Sequence, residues 1–248
     1  MEIEFIKDKV YYKIIDRTYP NSNGAYFLHN ANDATKLAQV EQNINNIKKE
    51  FGYQEFFLMR QVHGNDVVIV DDETNFGQQE LYDGCVTAKK NIALGVLTAD
   101  CVPVLLASDD GNVIGAAHCG WRSAKANIIS NVRKLMEEKG AKNIKALIGP
   151  AIAQNSYEVR ADYYHNFLQD GQEGVEELFM KGKDNNSYMF DLVGYVKKKL
   201  IEENIELIYD INEDTYSNPE KYPSYRRCCH TGTPYIDNIL SMIVIKEC

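Results

Sequence analysis

The sequence lacks long apolar runs. Hydrophobic residues make up 44% of its 248 positions, but they fall in strand-sized stretches, whereas a membrane-spanning helix needs about 20 consecutive apolar residues. The amino terminus, MEIEFIKDKVYYKII, has no apolar segment behind a basic start, so it differs from a secretory signal. These two absences predict a protein without a membrane partner.

Positive charge is scarce as well. The chain carries 27 Lys and Arg against 36 Asp and Glu, a net charge of −9, and polybasic tracts are lacking. A protein of this charge has no general attraction for nucleic acid or anionic membranes. We therefore expect no nucleic-acid partner, and an anionic small substrate would need a local basic site.

The six cysteines do not indicate disulfides. Cys228 and Cys229 are adjacent, and a chain of this length can bury a sufficient core without covalent cross-links. Free thiols in a reducing compartment are the usual state for such a chain. We therefore expect a cytoplasmic protein whose cysteines are available as metal ligands or nucleophiles.

Apolar stretches of strand length recur along the chain. A hairpin is predicted at residues 3–15, with its turn at Lys7–Lys9. Five strands then follow in close succession, and three more come later; in order, the stretches are EFFLM, DVVIV, IALGVLT, VPVLLAS, VIGAA, NIKALIG, IELIYD and SMIVI.

Helical spacing of apolar residues occurs in four places. The first helix, capped by Asn32 or Asp33, has its apolar face at Leu37, Val40, Ile44, Ile47 and Phe51. The others are predicted at residues 123–139, 161–168 and 192–203. Strands mixed with helices, without a linker, predict a single α/β or α+β domain over residues 1–248.

Three residues with metal-binding side chains lie at the ends of predicted strands. His63 is in RQVHGND, Cys101 in TADCVP and His118 in AAHCGW. Strand ends are rigid supports, so these side chains can converge on one point. Two imidazoles and a thiolate suit Zn²⁺ and leave a fourth position for water, as in catalytic zinc sites. The spacing alone is equally compatible with a packed cysteine and hydrogen-bonded loop histidines.

Several linked motifs resemble the laccase-domain family, also called polyphenol oxidases or peptidoglycan editing factors. They are QVHG, DGCVT, GVLTADCVPVLL, GAAHCGWRS, IGPAIAQNSYEV and SYRR, and they follow the family's order from about Asn32 to Arg227. The resemblance implies a four-layer α-β-β-α sandwich with mixed sheets. It also implies a zinc site of His, Cys and His, which the motifs assign to His63, Cys101 and His118.

The chain departs from the family pattern in three places. DRTYPNSNG replaces the family's R-x-G-G-x-S loop, with Arg17 as the equivalent arginine. HCGWRS adds a thiol at Cys119, and CCHTGTPYID follows SYRR where a short polar turn ending in TGR is usual. These departures concern the edges of the site.

The resemblance implies action on purine nucleosides. The implied reactions are deamination of adenosine and phosphorolysis of adenosine, inosine, guanosine and methylthioadenosine. Deamination needs an activated water and a proton shuttle, for which Asp100 and Asp83 are both candidates. The sequence is equally compatible with a structural role for Asp100, in which its carboxylate caps the turn.

Phosphorolysis needs an anion site. GWRS leads into the helix predicted from Ser123, whose free N–H groups suit phosphate, and Arg122 adds a guanidinium. Further substrate-binding candidates are Arg17, Arg226 and Arg227, while Trp121 and Tyr225 are candidates for stacking on the purine.

Three other functions fit the same residues. A copper polyphenol oxidase would use the His and Cys ligands for Cu²⁺, although five histidines are few for a multi-copper enzyme. A hydrolase could edit serine-containing peptidoglycan precursors with Cys101 as nucleophile and a histidine as base. A non-enzymatic metal-binding module could use the CCH stretch, Cys228 to His230.

Overall fold

The computed structural model describes residues 2–19, 34–76, 81–169, 171, 173–234 and 237–246. Its strands, in chain order, are β1 (Ile3–Ile6), β2 (Val10–Ile15), β3 (Glu55–Leu58), β4 (Val67–Ile69), β5 (Gly84–Thr87), β6 (Ile92–Thr98), β7 (Val102–Ser108), β8 (Ile114–Cys119), β9 (Ile144–Ile148), β10 (Glu158–Arg160), β11 (Phe179–Lys181), β12 (Ser187–Phe190), β13 (Glu206–Asp210) and β14 (Ile239–Ile245). Its helices are α1 (Ala34–Phe51), α2 (Trp121–Lys125), α3 (Ile128–Glu138), α4 (Ala161–Leu168), α5 (Leu192–Glu202) and α6 (Tyr225–Thr231).

Two large mixed sheets form the centre of the fold. The first has the strand order β1-β2-β14-β6-β3, and the second has the order β13-β9-β7-β8-β5-β4. Most neighbours are antiparallel, while the β3–β6, β4–β5 and β9–β13 pairs are parallel. A third, small sheet has the order β10-β12-β11.

Alternating side chains of the two large sheets define three apolar interfaces. On β6, Leu94 packs against the second sheet and Ala93 packs towards α1. On β7, Leu105 packs against the first sheet and Leu106 packs towards α3 and α5. This alternation is the period of two expected of strands covered on both faces. The layers are therefore helix, sheet, sheet and helix, which confirms the expected α-β-β-α sandwich.

The helix predicted at residues 123–139 is wrong as a single element. Asn127 has a left-handed φ of 64° and separates α2 from α3, a conformation that asparagine tolerates better than most residues. The first piece, α2, starts at Trp121 and has only five residues. Because a helix this short has few aligned peptide dipoles, it does not supply the phosphate-binding terminus predicted from GWRS.

Other elements were missed. Helix α6 was not among the four predicted helices; at its start, the Ser224 hydroxyl accepts a hydrogen bond from the Arg227 N–H. The small sheet β10-β12-β11 was not predicted either. Both elements have short apolar patterns that give little periodicity to read.

The remaining helices agree with the sequence. In α1, Val40 and Ile47 are buried against the first sheet. The predicted caps Asn32 and Asp33 lie outside the described residues, as does the side chain of Leu37. Within the part of the chain that the structure describes, no helix is both long and apolar enough to cross a membrane.

Candidate metal centre

Three strand ends bring together the predicted ligands His63, Cys101 and His118. Their ligand atoms all lie within 4.8 Å of one another, and Cys101 Sγ is 3.7 Å from His63 Nε2. The two imidazole rings meet edge to face, with centroids 4.7 Å apart. His63 is 38 positions before Cys101 and His118 is 17 positions after it, yet the three side chains form one group of possible metal ligands.

Strand register explains why Cys101 and His118 meet. The antiparallel pair β7–β8 sets Pro103 opposite His118 and Val102 opposite Cys119. Cys101 lies in the turn before β7. Extending the same register by one residue places it near Gly120, which follows β8. The third ligand, His63, follows β3 in the neighbouring sheet and has a left-handed φ of 61°.

Asp83 holds both histidines. One carboxylate oxygen lies 2.7 Å from His118 Nδ1, and the carboxylate accepts the backbone N–H groups of Val62, His63 and Gly64 at 3.1, 2.9 and 2.7 Å. Burial opposes ionisation of Asp83, but its bonds to His118 and to these amides hold its pKa below the usual value. Since an ionised carboxylate only accepts, Nδ1 of His118 carries a proton, and Nε2 is the atom that could bind a metal.

The surroundings of the three side chains favour the thiolate form of Cys101, which suits a bound cation. Burial would raise the pKa of the Cys101 thiol, but the charge and hydrogen bond of His118, with the hydrogen bond of His63, lower it to about 6. Burial would lower the pKa of His118, but Cys101 and Asp83 raise it to about 9. A metal ion bound by Cys101 and His118 would take the place of the proton between them. The group therefore has the donors and the spacing to hold a metal ion.

Asp100, the other candidate carboxylate, lies beside the ligands in a strained turn with φ of 91°. It accepts hydrogen bonds from Thr215 Oγ1 at 2.7 Å, Ser224 Oγ at 3.0 Å and the Arg226 N–H at 2.6 Å. Burial raises its pKa, although these hydrogen bonds oppose the rise. Asp100 lines the cavity described next, and Asp83 does not.

An open cavity of about 570 Å³ adjoins the three ligands, a size within the range of about 300–1,000 Å³ typical of small-molecule sites. Its lining includes neutral residues, among them Gln61, Leu97 and Thr98. It also includes aromatic and cationic residues, namely Trp121, Arg122, Tyr157, Tyr225 and Arg226. The cavity can therefore take a flat, partly apolar ligand together with an anion.

Of the predicted substrate-binding arginines, two line the cavity. Arg122 is exposed and its guanidinium lies 4.6 Å from the Trp121 ring. Arg226 lies 5.0 Å from the Tyr157 ring and donates to the carbonyl of Glu158.

The other two arginines lie outside the cavity lining. Arg17 forms a two-bond ion pair with Asp237, at 2.6 and 2.9 Å, and donates to Pro219 O. Arg227 donates to the carbonyls of Thr215, Tyr216 and Tyr222. Both therefore hold the loop next to the site together.

The extra thiols have separate surroundings. Burial, with the nearby charges of Cys101 and Asp83, raises the pKa of Cys119 far above its usual value, so it remains a thiol. Cys228 points to Pro234 O and His230 Nδ1 lies 2.9 Å from Tyr216 OH. Within the described ranges, the CCH stretch does not form a metal-binding group of three.

The sequence did not single out several cavity residues. Gln61, Thr98, Ile152, Tyr157 and Asn238 line the space, yet each stands at the end of a strand or in a loop without a distinctive pattern. Gln61, Thr98, Ile152 and Tyr157 lie inside the motifs QVHG, GVLTADCVPVLL and IGPAIAQNSYEV, which was their only signal, and Asn238 lies in none of the motifs.

Gly120 has no room for a side chain, which gives a testable prediction. Its φ of −69° suits any residue, but an added Cβ would lie 2.7 Å from His63 Cδ2 and 3.2 Å from Cys101 Sγ. Because two ligands must shift, Gly120→Ala should weaken metal affinity about 10–100-fold, measured by chelator competition.

Gly115→Ala, on β8, is the matched control. Its Cβ would lie 2.9 Å from Val132 Cγ1 and 3.0 Å from Met136 Sδ, so it should lower thermal stability through core crowding while retaining metal affinity. Equal metal affinities in the two variants would contradict the ligand geometry.

Comparison with known proteins assigns the chain to a family. Residues 13–245 match the sequence model described as multi-copper polyphenol oxidoreductase laccase. The purine nucleoside phosphorylases of Rickettsia prowazekii and Rickettsia conorii are 48% and 47% identical to this chain, covering 99% and 97% of it and 100% and 98% of their own lengths. The purine nucleoside phosphorylase YfiH of Escherichia coli is 28% identical, over 70% of this chain and 69% of its own.

Solved structures have the same fold. A Neisseria meningitidis protein has a TM-score of 0.83 at 22% identity, with 100% of this chain and 99% of its own covered. YlmD from Geobacillus stearothermophilus has a TM-score of 0.79 at 22% identity, with 96% and 92% covered. With the sequence match over residues 13–245, the chain belongs to the multi-copper polyphenol oxidoreductase laccase family.

Proposed function

We propose that the protein is a zinc-dependent purine nucleoside enzyme. Its reactions would be phosphorolysis of adenosine, inosine, guanosine and methylthioadenosine, and deamination of adenosine. The observation that carries the proposal is the His63, Cys101 and His118 donor set at the wall of a cavity lined by aromatic and cationic side chains. The names of the Rickettsia relatives as purine nucleoside phosphorylases support the substrate class.

Zinc is the proposed metal because two imidazole nitrogens and one thiolate match its preferred donors. A zinc ion held by three protein ligands supplies Lewis-acid chemistry at its remaining position. Cys101 and the two histidines would hold the ion, and Asp83 would fix the tautomer of His118. The free thiol of Cys101 also fits the cytoplasm as the compartment.

Arg122 and Arg226 would bind phosphate and the anionic parts of the transition state. A guanidinium offers paired N–H donors that match phosphate oxygens. Trp121 and Tyr157 would lie against the flat purine. Arg17, which is paired with Asp237, would act indirectly by positioning the loop that carries Asn238.

Asp100 is the proposed proton shuttle. It lines the cavity, and burial moves its pKa upward, the direction required of a group that delivers a proton to the leaving amino group. In deamination, water adds to purine C6 and ammonia leaves. Asp83 is better suited to positioning, since all its bonds go to the histidine loop and to His118.

Product identification tests the proposal. Purified protein with adenosine should give inosine and ammonia without phosphate, and adenine with ribose 1-phosphate when phosphate is added, as detected by mass spectrometry. Arg122→Ala should raise the KM for phosphate about tenfold and lower the ratio of phosphorolysis to deamination.

Arg160→Ala is the control for that ratio. Arg160 is an exposed arginine paired with Asp162 at 3.7 Å, and it does not line the cavity. The ratio should stay at the wild-type value. No conversion of any purine nucleoside by metal-loaded protein would overturn the proposed function.

A cysteine-dependent hydrolase is the second candidate. The lowered pKa of Cys101 and the closeness of His63 Nε2, at 3.7 Å, favour a thiolate nucleophile with histidine as base. Such an enzyme could cleave a serine-containing peptidoglycan precursor. Activity that survives a strong chelator but is abolished by alkylation would favour this hydrolase.

Copper oxidation is the weaker alternative. The family's description names multi-copper oxidoreductases, and His and Cys ligands can bind Cu²⁺. However, the chain has only five histidines, fewer than a blue copper site and a trinuclear cluster together require. Metal analysis with an oxygen-uptake assay distinguishes this function from the nucleoside enzyme.

A further inference from the structure

The lining of the cavity includes a threonine whose buried hydroxyl has no partner among the described residues. Thr98 is the last residue of β6, and its side chain is 2% exposed. Its Oγ1 has no hydrogen-bond partner among the residues that the structure describes, yet Thr98 lines the cavity. A buried hydroxyl left unpaired costs free energy that a bound ligand can recover.

Three other polar residues of the cavity lining, Gln61, Asp100 and Arg226, already have partners. The side-chain amide of Gln61 donates to Leu97 O at 2.6 Å and accepts from Leu97 N at 2.8 Å. The Asp100 carboxylate accepts from three donors, and the Arg226 guanidinium donates to Glu158 O. Thr98 therefore offers a neutral hydroxyl that the fold itself does not use.

The surroundings of the Thr98 hydroxyl indicate which part of a nucleoside would contact it. Leu97 and Ile152, also in the lining, are 7% and 1% exposed, so the space near them is apolar. Arg122, by contrast, is exposed to solvent. An anion and the polar sugar suit the region near Arg122, and the purine base suits the buried apolar region.

The purine carries one polar group that differs between substrates. Position 6 bears an amino group in adenosine, which donates, and an oxo group in inosine and guanosine, which accepts. A threonine hydroxyl rotates freely and can either accept or donate. Thr98 is the last residue of β6, three positions before the proposed ligand Cys101, and position 6 is the atom that changes in the proposed deamination.

We propose that Thr98 is the specificity-determining residue that binds the purine 6-substituent and lets one cavity accept both 6-amino and 6-oxo nucleosides. This inference rests on the proposed function, because it presumes that purine nucleosides bind in this cavity. Residues that recognise only one of the two groups, such as a fixed carboxylate, would restrict the enzyme to one class.

The test compares Thr98→Val and Thr98→Ser with wild type on adenosine, inosine and purine riboside, which has no 6-substituent. Valine has the shape of threonine without the hydroxyl. Thr98→Val should lower kcat/KM for phosphorolysis of adenosine and of inosine about tenfold, while purine riboside is processed as by wild type. Thr98→Ser should retain activity on all three.

Ser241→Ala is the matched control for the loss of a buried hydroxyl. Ser241 on β14 is fully buried, its Oγ also lacks a partner in the described part of the chain, and it is outside the cavity lining. This variant should keep wild-type kcat/KM on all three substrates. Since neither hydroxyl is bonded within the fold, the thermal midpoint should not fall in Thr98→Val or in Ser241→Ala.

Three results would overturn the inference. These are an equal loss on all three nucleosides, no loss on adenosine and inosine, or a fall in the thermal midpoint of Thr98→Val. The first would indicate contact with the ribose and the last a structural role. Failure of wild-type protein to convert any of the nucleosides refutes the proposed function instead, so the two failures are distinguishable.

Discussion

Cys101→Ala is expected to remove bound zinc and abolish nucleoside turnover while the protein stays folded. The substitution deletes one of three ligand atoms that lie within 4.8 Å of one another. Loss of a directly bonded ligand should cost more than the factor of about 10–100 in metal affinity that follows loss of an outer-shell partner. Cys101 is only half-buried in a turn, so the fold loses little packing.

His118→Ala should give the same loss of metal, since its Nε2 is the second proposed ligand atom. Metal content after dialysis, measured by elemental mass spectrometry, and circular dichroism together separate metal loss from unfolding. Cys229→Ala is the control, because Cys229 lines the same cavity on α6 but does not belong to the three-ligand group. Stoichiometric zinc in both Cys101→Ala and His118→Ala would defeat the ligand assignment.

The sequence was sufficient to find these candidate ligands because the ends of the strands can be recognised from the sequence. The apolar runs of β6, β7 and β8 stop abruptly at residues with different chemistry, and Cys101 and His118 stand at those limits. The start of β7 and the end of β8 lie at the same edge of the sheet when these strands pair antiparallel, as they do here, so the thiol and the imidazole are close. His63, in the loop after β3, was the third candidate from the residues themselves. The family resemblance then favoured the metal interpretation of all three and implied the layer order.

Other parts of the site could not be read from sequence, because they depend on contacts between distant residues. Helix α6 has seven residues and no buried side chain, so it leaves no apolar period, and its place is fixed by the bond from the Arg226 N–H to Asp100. The break at Asn127 interrupts an otherwise continuous helical pattern. Whether the Thr98 hydroxyl has a partner is likewise a property of the folded protein alone.

Asp83→Asn is expected to weaken metal binding about 10–100-fold and to destabilise the fold by about 1–3 kcal/mol. The carboxylate is fully buried and serves four donors, namely the backbone N–H groups of residues 62–64 and the His118 ring. An amide of the same shape has one acceptor oxygen and points N–H groups at the remaining donors. The left-handed backbone of His63 and the tautomer of His118 therefore lose their common support.

Asp214→Asn is the matched control for this loss. Asp214 also holds a turn, accepting from Ala153 N at 3.0 Å, Tyr216 N at 3.1 Å and Ser156 Oγ at 2.6 Å, but it does not contact the ligands. It should lower the thermal midpoint and leave zinc affinity at the wild-type value.

Saturating zinc distinguishes positioning from proton transfer at Asp83. If Asp83 only positions the ligands, excess zinc should restore most of the kcat of Asp83→Asn, because the occupied site has regained its geometry. Asp100→Asn, which changes the carboxylate that faces the cavity, should bind zinc and still lose deamination. A fully loaded Asp83→Asn protein with kcat as low as that of Asp100→Asn would instead make Asp83 the shuttle, and the positioning role would be wrong.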